Sequence, residues 1–427
     1  MRLLYVLASY ALFWLLFPLL SLHRKTRHGL RQRLGLYRPD EVPKGGSPRV
    51  WLHGASAGDL LALSPMVTSL RARFPGCSIF FTTTTNTGYL MATGRLGKLV
   101  DGAFYWPYDL PGATSRAVRA LRPDLLVLEY TEIWPHLLRA AKKSGAAVVL
   151  TNGRFSPAHL GRYRLFFGAV GNPLADVDLL LMREDEEAER ALQLGARPER
   201  VVVTGNTKFD ALMAPLPAEE DRALARALGI REGERTFIAG STHEGEEEAL
   251  LEVYLRLRRD FPDLRLVIAP RYIDRAGRVK DLAEAAGLGV GLRSAGDGQQ
   301  HPVVVLDSIG ELARAYRLAT IVFVGGSFTH RGGQNILEPA GQGRPVLFGP
   351  HMENFKDSVQ VLVGRGGIQV NDPLHLYKVM FELLSRPEQL QQLGALAAGA
   401  VSQVSGASAR NVERMAQLLE RRKDGAT

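Results

Sequence analysis

The amino-acid sequence predicts an α/β fold of two Rossmann-like domains, each a doubly wound parallel sheet. From Arg49 onward, short apolar runs rich in β-branched and aromatic residues alternate with longer amphipathic segments, as strands and helices do in parallel α/β sheets. The alternation weakens in the charged, proline-containing stretch 206–234 and then begins again. A chain of 427 residues with 46% hydrophobic content is also long enough to bury two cores of ordinary domain size.

Eleven of the apolar runs are predicted strands. Those before the connecting stretch begin at Val50, Ser78, Leu125, Ala147, Leu179 and Val201, and those after it begin at Thr236, Leu264, Pro302, Thr320 and Pro345. Helices are predicted between them, for example over 60–73 and 184–194, and two more, over 387–404 and 408–423, end the chain. Ligands of open α/β folds bind at the carboxyl ends of the strands, so two such domains predict a central cleft.

The N-terminal residues 1–22 predict a membrane anchor. Residues 3–22 carry no charge and are rich in Leu, Phe, Trp and Tyr, which would let a helix cross a bilayer; a buried or interfacial helix is the alternative. A basic juxtamembrane segment, 23–48, follows, and five of its cations lie close behind the apolar stretch: Arg24, Lys25, Arg27, Arg31 and Arg33. By the positive-inside tendency, these cations place the rest of the chain in the cytoplasm. That remainder divides into domains at 49–215 and 216–427.

The formal net charge of +9 indicates an anionic partner, which the charge alone does not identify. Basic residues do not alternate with aromatic residues in any stripe, which argues against nucleic acid and leaves a membrane surface or an acidic substrate. The single cysteine, Cys77, excludes an internal disulfide and any cysteine-cluster metal site, and indicates a reducing compartment.

Three segments in the first half carry candidate catalytic residues. HGASAGD follows a strand and opens a helix, where Asp59 could take a proton from an attacking hydroxyl; on spacing alone, a carboxylate that complements the helix dipole is the favoured alternative. EYTEIWP brings two carboxylates, Glu129 and Glu132, beside Trp134, with a capping arrangement as the alternative. TGNTKFD contains Lys208, which could neutralise a phosphate, although solvated lysines are commoner.

The second half predicts a nucleotide site. STHEGEEE, at 241–248, begins a helix after a strand and could meet an anion, and its three consecutive glutamates are predicted to be a solvated helical turn. The densest signal, 323–350, has two glycine pairs and a helix start whose Glu338 could accept hydrogen bonds from ribose hydroxyls. The spacing GxGxxG is absent from that segment, which argues against a dehydrogenase.

Over nearly its whole length the sequence resembles the Kdo transferases of lipopolysaccharide synthesis, glycosyltransferases of the GT-B fold. The resemblance is carried by ordered motifs that include WLHGASAGD, PYDLPG, TEIWP, TGNTKFD, STHEGEEE, APR, GEL, VGGS, NILEP and FGPHMENF. It implies an inverting transferase at the inner membrane that moves Kdo, an eight-carbon acidic sugar, from CMP-Kdo to the 6'-hydroxyl of a lipid A precursor (lipid IVA). It implies neither a cofactor nor a metal.

By position in those motifs, the resemblance implies that Asp59 is the general base, that Glu132 assists the transition state and that Lys208 stabilises the departing CMP. It also implies that CMP is bound by nine residues of the second domain: Pro270, Arg271, Ile309, Gly310, Glu311, Asn335, Ile336, Leu337 and Glu338.

The sequence departs from the family pattern at four of these motif positions. Asp59 and Tyr130 stand where glutamates are usual, and Tyr272 and Gln334 stand where histidines are usual. The departures leave open an inactive or altered relative that binds the CMP-sugar and acts on another acceptor or as a membrane scaffold. A nucleotide-sugar epimerase of the same architecture is a third reading, and it explains neither the N-terminal segment nor PYDLPG.

Overall fold

The computed structural model describes residues 2–22, 28–212 and 218–424 of the chain. Its residues cluster into two compact units, the first comprising Met1–Ala211 together with Ser405–Thr427, and the second comprising Leu212–Val404. Each unit is built on one parallel β-sheet of seven strands, flanked by helices. The predicted α/β class is confirmed for both units.

The sheet of the first unit has the strand order β3-β2-β1-β4-β5-β6-β7. Its strands are β1 Arg49–His53, β2 Ser78–Thr83, β3 Gly102–Tyr105, β4 Leu125–Glu129, β5 Ala147–Gly153, β6 Leu179–Met182 and β7 Val201–Val203. The order reverses beside β1, where Val50 pairs with Ile79 of β2 on one side and with Leu125 of β4 on the other. Such a switch point is where doubly wound sheets bind ligands, at the carboxyl ends of the strands.

Helices cover both faces of this sheet. In chain order they are α1 Arg2–Leu22, α2 Leu30–Arg33, α3 Ala57–Arg73, α4 Asn86–Thr93, α5 Pro111–Leu121, α6 Pro135–Lys143, α7 Leu160–Val170 and α8 Asp185–Gln193. Because side chains alternate along a strand, β1 contributes Trp51 to one core cluster, and Val50 and Leu52 to the other. Both faces of the central strands are buried, which explains why they read as continuous apolar runs.

The sheet of the second unit has the strand order β10-β11-β9-β8-β12-β13-β14. Its strands are β8 Thr236–Thr242, β9 Arg265–Pro270, β10 Val290–Leu292, β11 Val303–Val305, β12 Ile321–Val324, β13 Val346–Phe348 and β14 Gly367–Gln369. Its helices are α9 Ala218–Ala227, α10 Glu247–Asp260, α11 Ala276–Ala285, α12 Leu312–Arg317, α13 Leu337–Gly341, α14 Lys356–Leu362, α15 Pro373–Leu384 and α16 Pro387–Val404. The carboxyl ends of β8, β9 and β12 are therefore neighbours.

The last helix, α17 Ala407–Asp424, belongs to the first unit, whereas the sequence division assigned 216–427 to a single second domain. Its apolar side, with Val412 and Met415, is buried in the same core cluster as Leu63 of α3. The Asp210 carboxylate also accepts hydrogen bonds from the backbone N–H of Gly406 and Ser408 at the start of the helix. The prediction was wrong because a helix's apolar stripe does not reveal which of two sheets it covers.

The N-terminal helix α1 packs by one face on the first unit. Phe13 is buried beside Leu110 and Ala113, and the Tyr10 hydroxyl accepts a hydrogen bond from the backbone N–H of Gly112 at 3.0 Å. Searched over its described residues, the chain contains no helix that is both long and apolar enough to span a bilayer.

The basic segment behind α1 is only partly described, because Arg24, Lys25 and Arg27 lie outside the described residues. Arg33 does not face a membrane surface: it is buried, and it donates hydrogen bonds to the carbonyls of His28 (2.9 Å) and Thr84 (2.6 Å). Burial lowers the pKa of its guanidinium. Arg33 therefore fastens the segment to the first unit.

All eleven predicted strands are present, and the described part of the chain contains three further strands that were not predicted. The missed strands, β3, β10 and β14, have three or four residues each, and each contains a glycine. They lie at or beside the edges of the two sheets, where a short and partly exposed strand does not produce an apolar run.

Candidate active site

Asp59 lies in the first turn of α3, just beyond the carboxyl end of β1. It forms a capping box with Ser56, whose backbone N–H (2.8 Å) and hydroxyl (2.9 Å) both donate to Asp59 Oδ2. Asp59 therefore lies in the first turn of a helix, where the helix-dipole alternative expects it. Within the described residues Asp59 Oδ1 accepts no protein hydrogen bond, and the side chain is partly exposed. One oxygen of the capping carboxylate thus remains able to receive a proton.

Glu132 lies in the loop after β4, and two side chains hold its carboxylate. Trp134 Nε1 donates to Glu132 Oε2 at 2.8 Å, and His53 Nε2 lies 3.4 Å from the same oxygen. His53 is fully buried and stacks on Trp106, with 3.4 Å between ring centroids. Its other nitrogen, Nδ1, lies 3.0 Å from the backbone carbonyl oxygen of Thr82 and 3.1 Å from the Thr82 hydroxyl oxygen. In one neutral tautomer the Thr82 carbonyl accepts from Nδ1–H; in the other the Thr82 hydroxyl donates to Nδ1, and the proton on Nε2 points at the carboxylate.

The charge state of this pair follows from burial and hydrogen bonding. Burial is the largest influence on both groups: it lowers the pKa of His53, and by itself it would raise the pKa of Glu132. The hydrogen bonds from His53 and Trp134 outweigh burial at Glu132, so its pKa is lowered. At neutral pH the site therefore holds a fixed carboxylate supported by a neutral imidazole.

A second buried carboxyl, Glu129, ends β4. Its Oε1 accepts a hydrogen bond from Asn152 Nδ2 (2.6 Å), and Asn152 Oδ1 accepts from the backbone N–H of Thr207 (2.9 Å). Its Oε2 has no partner among the described residues. Tyr130 and Asn152 both adopt left-handed backbone conformations, with φ of 57° and 51°, which non-glycine residues rarely adopt. The network therefore ties the ends of β4 and β5 to the loop that carries Lys208.

Lys208 follows Thr207 and is exposed, with its Nζ 5.2 Å from the ring centroid of Tyr130. The charges of Asp59 and Lys208 both act on Glu129, with opposite signs. The first unit therefore brings Asp59, Glu129 and Lys208 near one another at the carboxyl end of its sheet.

The second unit contains a cavity of about 570 Å³ at the carboxyl ends of its own strands. The cavity is lined by Ser241, Ala269, Pro270, Arg271, Tyr272, Ile273, Asp274, Leu306, Ser308, Ile309, Gly310, Leu312, Tyr316, Gln334, Asn335 and Glu338. Burial raises the pKa of Glu338, whose carboxylate meets no protein donor among the described residues. An acceptor without a partner and the exposed guanidinium of Arg271 would suit a ligand that carries hydroxyls and an anion.

Comparison with known proteins assigns this arrangement to a family. Residues 28–211 match the family model described as 3-deoxy-D-manno-octulosonic-acid transferase (kdotransferase). A 3-deoxy-D-manno-octulosonic acid transferase of Bordetella pertussis is 33% identical over 87% of this chain and 87% of its own length. The chain belongs to the Kdo transferase family. The transferase of Chlamydophila psittaci is 32% identical over 86% of this chain and 84% of its own, and that of Haemophilus influenzae is 30% identical over 92% of both.

Solved structures support the architecture of this Kdo transferase. The UDP-GlcNAc 2-epimerase of Neisseria meningitidis superposes with a TM-score of 0.61 at 14% identity, covering 86% of this chain and all of that one. At that identity the likeness shows the fold alone. The chain is a glycosyltransferase with two parallel-sheet α/β units like those of GT-B proteins.

Six of the nine residues predicted to bind CMP line the cavity of this Kdo transferase: Pro270, Arg271, Ile309, Gly310, Asn335 and Glu338. Three do not. Ile336 and Leu337 are fully buried in the core, because consecutive helical residues point in different directions. The Glu311 carboxylate instead accepts hydrogen bonds from Arg293 and from the hydroxyl of Ser308.

Several residues of the two sites escaped sequence reasoning. His53 and Asn152 were missed because each reads as part of an apolar strand, and their partners Glu132 and Thr207 are far away in sequence. Tyr316 lines the cavity and was not predicted. Ser241 lines it within the segment that was predicted to meet an anion, although its left-handed backbone, with φ of 55°, leaves no sequence signal. A polar residue at the carboxyl end of a predicted strand was the available clue for Asn152.

The three glutamates at 246–248 were predicted to form a solvated helical turn, and that prediction is wrong. Only Glu248 is exposed, and Glu246 and Glu247 are both fully buried. Glu247 forms an ion pair with Arg275, with Oε2 and Nη2 3.1 Å apart, and accepts a hydrogen bond from the Thr242 hydroxyl. Glu246 accepts hydrogen bonds from backbone amides of the glycine-rich turn after β12. The prediction failed because these partners come from distant parts of the chain.

We expect the stability of this Kdo transferase to depend on pH through Glu129. Burial raises the pKa of Glu129 from 4.5 to about 8, so the folded protein holds a proton that the unfolded chain releases. Relative to Glu129→Gln, the wild type should therefore lose stability from about pH 5 to about pH 8, with a slope approaching about 1.4 kcal/mol per pH unit. Urea unfolding across this range measures the difference. A constant difference would contradict the assignment, and Glu189→Gln, at an exposed position in the same unit, is the control.

Proposed function

We propose that this chain transfers Kdo from CMP-Kdo to a lipid A precursor, with inversion at the anomeric carbon. The observation that carries the proposal is the cavity of the second unit, in a chain whose relatives are Kdo transferases. Its Glu338 carboxylate suits ribose hydroxyls, and the guanidinium of Arg271 suits a single phosphate group. Donor binding is assigned to the second unit and activation of the acceptor to the first.

In this mechanism the acceptor hydroxyl attacks the anomeric carbon while the bond from that carbon to the CMP phosphate oxygen breaks. Asp59 takes the hydroxyl proton, and CMP leaves with the electron pair of the broken bond. A single displacement inverts the anomeric centre and needs no covalent enzyme intermediate. The negative charge of Glu132 stabilises the positive charge that develops on the sugar ring, and the positive charge of Lys208 stabilises the negative charge on the departing phosphate.

The test is a transfer assay with membranes that contain the protein. Labelled CMP-Kdo and tetra-acylated lipid A precursor are supplied, and the lipid is weighed by mass spectrometry. The proposal predicts a lipid heavier by one or more Kdo residues. CMP binding without any heavier lipid would reject it.

A second candidate is an altered relative that binds the CMP-sugar without this transfer. It is favoured by one observation: Asp59 stands where the family usually has glutamate, and the capping box already engages one of its oxygens. Release of CMP from CMP-Kdo that depends on the lipid acceptor would exclude this candidate, whereas nucleotide binding without turnover would support it.

We also propose that α1 attaches the enzyme to the cytoplasmic side of the inner membrane. Apart from the buried Phe13, the helix exposes a series of large apolar side chains: Leu7, Leu12, Trp14, Leu15, Leu16, Leu19 and Leu22. Exposed apolar surface of this kind favours insertion into lipid. We expect Leu15→Glu with Leu19→Glu to shift the protein from floated membranes to the soluble fraction. Leu396→Glu, at an exposed position of the second unit, is the control, and unchanged flotation of the double variant would reject the proposal.

A further inference from the structure

The buried carboxylate of Glu246 is enclosed by four backbone N–H groups. Its Oε2 accepts from His243 (2.9 Å) and Gly326 (2.7 Å), and its Oε1 accepts from Ser327 (3.0 Å) and Phe328 (2.9 Å). Glu246 itself is fully buried. A carboxylate can be held inside a protein when such charge-assisted hydrogen bonds satisfy both of its oxygens.

The three consecutive N–H groups of Gly326, Ser327 and Phe328 form an anion-binding nest. Gly326 has a left-handed backbone, with φ of 68°, so its amide and the next two turn toward one point. Gly325 must remain small, because a Cβ there would lie 2.6 Å from Thr242 Cα, 2.7 Å from the Ser241 carbonyl oxygen and 2.8 Å from Glu246 Oε2. Nests and glycine-rich turns at the carboxyl end of a strand are well suited to phosphate. Here the protein's own carboxylate occupies that position.

This nest lies against the wall of the donor cavity. A Cβ on Gly326 would lie 3.5 Å from Cγ of Gln334, which lines the cavity. The carbonyl of Ser241, another lining residue, lies 3.1 Å from Nδ1 of His243. Arg271 is also close, because its backbone N–H donates to the carbonyl of Thr242 at 2.9 Å, between Ser241 and His243. A phosphate held by Arg271 would therefore sit near Glu246.

We propose that Glu246 determines donor specificity by filling this nest, so that the cavity accepts nucleotides with one phosphate and rejects those with two. A second phosphate directed at the nest would find its amides already bonded and would meet a carboxylate of like charge, which is unfavourable in a buried site. The proposal rests on the proposed function in one respect, that the donor is a cytidine nucleotide bound in this cavity.

The first experiment compares CMP with CDP by isothermal titration calorimetry, using the full chain in detergent micelles with a chelator present. Wild type should bind CDP at least about tenfold more weakly than CMP, because like charges near each other reduce affinity. In Glu246→Ala the nest amides are released, so the difference should shrink or reverse. Glu248→Ala, a matched change at the exposed neighbour two residues on, should keep the wild-type ratio. Equal affinities for CMP and CDP in wild type would overturn the proposal, whether or not Glu246→Ala folds.

A second experiment tests the nest without a nucleotide. Inorganic phosphate should raise the melting temperature of Glu246→Ala by more than it raises those of wild type and Glu248→Ala, since phosphate can meet Arg271 in all three proteins but only an emptied nest offers free amides. A rise that is no larger in a folded Glu246→Ala than in wild type would overturn the proposal. If wild type binds neither nucleotide, the donor site of the proposed function is rejected, and the specificity proposal is rejected with it. If CMP binds and CDP binds equally well, only the specificity proposal is rejected.

Discussion

Replacing Asp59 by asparagine should reduce the rate of Kdo transfer by about 10²- to 10⁴-fold, the usual contribution of a general base. Asparagine keeps the size of the side chain and can still accept the hydrogen bonds from Ser56, but it cannot take a proton. Affinity for CMP should stay unchanged, because the donor cavity belongs to the second unit. Transfer rates at saturating donor, together with calorimetric CMP binding, measure both effects.

Two controls separate catalysis from helix capping at this position. Asp59→Glu keeps a carboxylate that suits a capping box and should retain most of the activity. Asp372→Asn makes the same chemical change at the N-cap of α15, where the Asp372 side chain accepts from the backbone N–H of His375, and should leave the transfer rate unchanged. If Asp59→Asn turns over at the wild-type rate, Asp59 is a helix cap only and the base lies elsewhere.

Replacing Arg271 by alanine should weaken CMP binding by about 10- to 100-fold, the loss expected for a hydrogen bond to a charged group. The guanidinium is exposed at the end of β9 and lies on the cavity wall, where it can bind phosphate with two parallel N–H donors. Arg271→Lys should recover only part of the affinity, because an ammonium lacks that paired geometry. Arg278→Ala, at an exposed position on α11, is the control. CMP affinity that is unchanged in Arg271→Ala would remove this residue from the donor site.

The strands of both sheets were predictable because they are buried on two faces. A run such as VVV at 303–305 leaves few alternatives to a buried strand, and the turn residues around it limit its length. The short edge strands were not predictable, since their pairing depends on a neighbour and not on their own composition. The helix α17 was assigned to the wrong sheet because its apolar side does not show which of the two sheets it covers.

The candidate site was predictable only where a residue's position after a strand defines its role. Asp59 lies in the first turn of the helix after β1, Arg271 follows β9 directly, and Glu338 lines the cavity of the second unit, which are the positions that their predicted roles require. The fate of Glu246 was not predictable, because its partners Gly326 and Ser327 lie about 80 positions away in the sequence. A run of glutamates at the start of a helix is usually solvated. Only the folded structure shows that four backbone N–H groups surround one of these carboxylates.

The most direct measurement counts products in one reaction. Purified protein is incubated with CMP-Kdo and the lipid A precursor, and both the released CMP and the Kdo attached to lipid are quantified for wild type and for Asp59→Asn. One CMP released for each Kdo attached by wild type, with neither product formed by a variant that still binds CMP, is the predicted result. CMP release without sugar on the lipid, or equal product from both proteins, would contradict the account.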